Sequence, residues 1–155
     1  MSYRISGLSP APFRHLFGLD DAVLAEQSIR RYRVDAMPGF PCRIGLEDLP
    51  VGASALLLNY EHQPAESPYR ARGPIFVREG AEDVAVFANR VPEVLARRML
   101  SVRGYDAAGY IQAAEVVDGR ALEDAIARSF AREDVDYLHV HYAGRGCYAA
   151  RVERG

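Results

Sequence analysis

His139 and His141 stand two apart in YLHVHYAGRGCYAARV, residues 137 to 152, a stretch patterned as a β-hairpin. Alternation along a strand sends both imidazoles to one face and Leu138, Val140 and Tyr142 to the other. Such a pair supplies two nitrogen ligands to a metal, and His62 with Cys42 or Cys147 would complete a tetrahedral set. It serves equally as a pair of hydrogen-bonding groups beside an anion. No glutamate follows in YAGRG to extend a metal motif, so the non-metal reading is preferred and no cofactor is expected. The alternative metal set is His139, His141, His62 and Cys147.

Whether Cys147 can join the histidines depends on the turn. A three-residue loop, Gly144-Arg145-Gly146 with Gly146 left-handed, would set Ala143 against Cys147 and place the thiol on the histidine face. A two-residue turn would set Tyr142 against Cys147 and put the thiol on the other face. The three-residue loop is preferred. On that face an imidazole could activate the thiol as a nucleophile; otherwise Cys147 is a small buried hydrophobe. Glu61-His62, after an apolar run, forms a second candidate acid/base pair. The catalytic candidates are therefore His139, His141, His62, Glu61 and Cys147.

Arginine is the other resource. The 19 basic residues are all arginine, since the chain has no lysine. Schiff-base and lysine-base chemistry are thereby excluded. Arg70, Arg72 and Arg145 lie beside glycine or proline in irregular stretches, and Arg43 follows the rigid PGFPC segment. A guanidinium in such a place can fork onto a carboxylate or phosphate. Tyr69 would add a stacking surface. These five residues are the candidate ligand contacts.

Elements that would position these groups follow from periodicity. Strands are expected at 3–6, 29–35, 42–46, 55–60, 73–79, 84–88, 101–105 and 110–117, before the hairpin. Helices are expected after Asp20-Asp21, from Pro92 to Met99, and over 119–132. In the last, Leu122, Ala125, Ile126, Ser129 and Phe130 share one face and Asp118 caps the start. Residues 61–73, EHQPAESPYRAR and Gly73, read as a long ordered loop packed near the hairpin. The sum is an α+β fold: one domain over residues 1–155, mainly antiparallel sheet, two or three helices and a C-terminal β-hairpin.

PGFPCRIGLED, LLLNYEHQPAESPYRARGPIFVRE, VVDG and YLHVHYAGRGCYAARV together resemble the bacterial family catalogued as domain of unknown function 1203. The resemblance covers nearly the whole chain. It implies a single bacterial domain and carries no assigned activity or catalytic residues.

Composition limits the partners. A net charge of −2, with no basic stripe interleaved with aromatics, argues against nucleic acid. The early arginines and prolines break the apolar runs that a signal peptide or membrane helix needs, so a cytoplasmic protein without a membrane partner is expected. Two widely separated cysteines there read as free thiols. The reading that best fits these residues is a binding site for an anionic small molecule in a pocket lined by histidine and arginine. A metal-assisted or thiol-dependent enzyme using the H-x-H pair with Cys147, or a protein-interaction module, are the alternatives; oligomeric state is left open.

Overall fold

The computed structural model describes all 155 residues. Its alternating stretches form two sheets. In the first, β7 (Val86–Ala88), β1 (Tyr3–Ser6), β11 (Tyr148–Arg154), β10 (Tyr137–Tyr142), β8 (Met99–Tyr105) and β9 (Ile111–Asp118) lie in that order. Every neighbouring pair in it is antiparallel. The second runs β2 (Arg30–Arg33), β5 (Ser54–Gln63), β6 (Ala71–Arg78), β3 (Pro41–Cys42) and β4 (Glu47–Asp48), with only β3 and β6 parallel. The expected α+β class with a C-terminal hairpin is the one observed.

Helices α1 (Asp21–Glu26), α2 (Glu93–Ala96) and α3 (Leu122–Phe130) complete the fold. The Asp118 side chain accepts from the Arg120 N–H at 2.8 Å, in the 3-10 turn that leads into α3. That contact satisfies one of the backbone donors that a helix start leaves free. Leu122, Ala125, Ile126, Ser129 and Phe130 are all buried, as their spacing predicts. With Leu138, Val140, Leu100 and Val102, the four apolar ones form one core between α3 and the first sheet. A second core lies on the other sheet, built from Leu56, Leu58, Ile75 and Val77 with Phe13, Leu16 and Leu24 from the N-terminal segment.

Two departures from expectation shape the site. Strand β5 continues through Gln63, so the irregular segment shrinks to residues 64–70. It continues because its polar end is buried against the first sheet, where Gln63 Nε2 donates to the Tyr137 hydroxyl at 2.9 Å. The second concerns the hairpin. Its loop has four residues, 143–146, closed by Gly146 N–H donating to the Tyr142 carbonyl at 2.8 Å and by Tyr142 N–H donating to the Cys147 carbonyl at 2.9 Å. Gly146 is left-handed, with φ +81°, but the expected three-residue loop is replaced. A bulge follows: Val140 pairs with Ala150 and His141 with Tyr148, leaving Ala149 as the extra residue.

Candidate functional site

The sheets meet over a cluster of imidazoles and phenols. β10 delivers His139 and His141, and the extended end of β5 delivers His62. The ring centroids of His62 lie 5.0 Å from His141 and 6.3 Å from His139, and those of His139 and His141 are 6.5 Å apart. Tyr148 sits among them, 5.2–5.8 Å from all three, and Tyr105 packs edge-on to His139 at 5.0 Å. The structure thus places His62 beside the H-x-H pair. The expected wet face is not found: His139 is 2% and His141 1% exposed, because the second sheet covers the face that alternation left polar.

Burial fixes the charge state of this cluster. Desolvation, reinforced by the Arg151 guanidinium and the neighbouring histidines, pushes His139 down to about 3. His141 is pushed down to about 4 by burial, partly opposed by its hydrogen bond to the Gly146 carbonyl. His62 is lowered by burial and by Arg103. Neutral rings result. Because a carbonyl only accepts, the 2.9 Å contact from His141 Nδ1 to the Gly146 oxygen places the proton on Nδ1 and leaves Nε2 a bare acceptor. That nitrogen, His139 Nδ1 and His62 Nδ1 have no partner. No three histidine, cysteine, aspartate or glutamate side chains gather to hold a metal ion, and the alternative set with Cys147 is not assembled.

The hairpin register carries Cys147 to the opposite face. Opposed to Tyr142 rather than to Ala143, the thiol lines a pocket of about 580 Å³ together with Arg43, Arg98, Arg145, Tyr142, Met99 and seven other residues. Three of the lining residues are arginines and none is acidic. Arg43 is the unusual member. It is 3% exposed and pairs with no carboxylate; its Nε donates to the Tyr148 carbonyl at 2.8 Å and its Nη1 to the Pro41 carbonyl at 2.6 Å. Its Nη2 makes no hydrogen bond. Burial pulls this guanidinium below its ordinary value, only partly opposed by the Tyr142 phenol and the two thiols.

Tyr142 organises the rest of that pocket. The Arg43 and Arg98 guanidinium carbons stand 5.0 and 5.2 Å from its ring centroid, so one ring seats both cations. Arg98 is further held by both oxygens of Asp48, at 2.6 and 3.0 Å, and Arg97 reaches the same carboxylate at 3.3 Å. Asp48 thus pairs with Arg98, and Arg97 is shared between Asp48 and Glu93, which leaves Arg43 and Arg145 as the lining guanidinium groups without a carboxylate.

A family model described as protein of unknown function (DUF1203) matches residues 39–154. The chain belongs to the DUF1203 family. No curated protein and no solved structure matches it. The DUF1203 span contains every residue lining the arginine pocket and all three clustered histidines.

Other candidates within the DUF1203 span are dispersed. Arg70 is exposed and pairs with Glu61 at 3.2 Å, so these two candidates occupy each other. Arg72 donates to the Asn59 side chain, and Tyr69 packs on Tyr105 and Tyr110. None of Arg70, Arg72, Tyr69 or the histidines lines the pocket, which corrects the expectation of a single histidine-and-arginine site. Arg43, Arg145 and Cys147 do line it. Sequence reasoning missed Arg98, whose only signal is the tandem Arg97-Arg98 at a helix end, and the part of Tyr142, which alternation placed on the face of Leu138 and Val140 without a ligand role.

Proposed function

We propose that this protein binds a small anionic molecule in the pocket formed by Arg43, Arg98 and Arg145. The observation that carries this reading is Arg43, a buried guanidinium with no carboxylate and an unused Nη2. Taking a charge out of water costs several kcal/mol unless a partner repays it, and here the protein supplies two carbonyl oxygens and the Tyr142 ring face but no carboxylate. A ligand carboxylate or phosphate would supply the missing charge and accept from the fork. Leu57, Pro74, Phe76 and Met99 form apolar wall, so the ligand that fits carries an anionic head and an apolar body.

Thermal melting at fixed ionic strength tests this with acetate and hexanoate as probes. Hexanoate should raise the melting temperature saturably and bind at least about tenfold more tightly than acetate, since each buried methylene contributes about 0.8 kcal/mol. Arg43→Gln should remove the effect. An unsaturable response, or one of equal size in Arg43→Gln, would overturn the reading.

A further inference from the structure

The pocket also holds a thiol that the fold does not spend. Cys42 is 2% exposed, and its Sγ accepts from the Arg78 N–H at 3.3 Å, as befits a packed core residue. Cys147 is only partly buried, and its Sγ makes no hydrogen bond. It follows the turn that carries Arg145 and lines the pocket with Arg43 and Arg98. A partly exposed thiol in a pocket lined by guanidinium groups is placed where an anion is drawn to it.

We propose that Cys147 is the reactive centre of this pocket, a nucleophile that captures small carboxylate-bearing electrophiles covalently. The proposal rests on the anion-binding reading, and the buried Arg43, which pairs with no carboxylate, is what distinguishes this thiol from an ordinary surface cysteine. In the step, Sγ gives its proton to water and attacks the electrophilic carbon. An Sγ–C bond forms as the bond from that carbon to the leaving group breaks, and the leaving group departs with the electron pair. The arginines hold the carboxylate and direct the carbon to sulfur. No histidine, aspartate or glutamate lines the pocket, so the chemistry is confined to electrophiles whose leaving group needs no protonation.

Two reagents of equal size and opposite charge character test this. Iodoacetate and iodoacetamide both alkylate thiols with loss of iodide, and site-resolved mass spectrometry separates Cys147 from Cys42. The rate ratio, iodoacetate over iodoacetamide, should be about tenfold higher at Cys147 in the folded protein than in the urea-unfolded chain, because the basic pocket concentrates the anion. Arg43→Gln should bring the ratio back toward the unfolded value. Arg145→Gln, on an exposed turn and safe for folding, should lower it as well. A ratio unchanged by folding, or an unreactive Cys147, overturns the proposal. If hexanoate still binds in that case, the anion-binding reading stands and only the thiol assignment falls; if hexanoate does not bind, both fall.

Discussion

Tyr142 and Cys147 face each other across the turn of the C-terminal hairpin, the Tyr142 N–H donating to the Cys147 carbonyl at 2.9 Å. This pairing sorts the chemistry of the molecule. Tyr142 and Cys147 go together to the arginine pocket, whereas the next residues outward, His141 and Tyr148, go together to the interface between the sheets. A turn one residue shorter, with the same strands, would have mixed the two groups.

The turn itself gives a paired prediction. Gly146 has φ +81°, a conformation in which any Cβ is strained, while Gly144 has no such φ, and a Cβ there would meet nothing within 4 Å. Gly146→Ala should therefore cost about 1 kcal/mol, and Gly144→Ala should be neutral or stabilise by about 0.4–1 kcal/mol by restricting the unfolded chain. Urea titration of both variants checks this. Equal effects would mean that the hairpin conformation is not the one described.

Acid stability should report the buried histidines. His139 and His141 titrate near 3 and 4 in the fold and near 6.5 when unfolded, so above pH 6.5 neither state binds the extra protons. Between pH 6.5 and about 4 the unfolded chain takes up protons that folded His139 and His141 refuse, and for these two stability falls with falling pH by about 2.7 kcal/mol per unit; His62, also lowered by burial, adds to the loss. Glu79, held near 2 by Arg31, adds a further loss below pH 4.5. His139→Phe, which keeps an aromatic ring among the tyrosines, should lower the slope above pH 4.5 by about 1.4 kcal/mol per unit in denaturant titrations across this range. An unchanged slope would place the proton uptake elsewhere.

Much of the fold is legible in local pattern. Helix α3 declares itself by its apolar spacing and the Asp118 cap, and the strands by alternation, because each rule reflects contacts within a few residues. What local pattern cannot hold is the second layer. His139 and His141 alternate with Leu138 and Val140 as a half-wet strand would, yet all six residues of β10 are buried, because β5 lies over the polar side. Glu61, His62 and Gln63 read as loop for the same reason, polar residues being taken for solvent-facing ones. The pocket was half legible. Arg43, Arg145 and Cys147 carry local signs of exposure or turn chemistry, but Arg98 owes its place to Asp48, fifty residues away, and to the Tyr142 ring.

Asp48 offers a test that separates charge from architecture. Its carboxylate is 4% exposed and holds Arg98 with two hydrogen bonds and Arg97 with an ion pair, so it both neutralises one cation and fixes the side of the pocket. Asp48→Asn keeps the shape and removes the charge. Without ligand the variant should lose about 2 kcal/mol, less than the 3–5 typical of a broken buried pair, because Arg97 and Arg98 keep about a third and a fifth of their side-chain surface in water. With hexanoate the order should reverse in size: one more uncompensated guanidinium faces the anion, so affinity should rise severalfold and the ligand-induced gain in melting temperature should exceed that of the parent. Melting curves with and without hexanoate read both quantities from one sample set. A variant that is destabilised but binds more weakly would mean that the orientation Asp48 imposes on Arg98, and not the positive balance of the pocket, is what the anion requires.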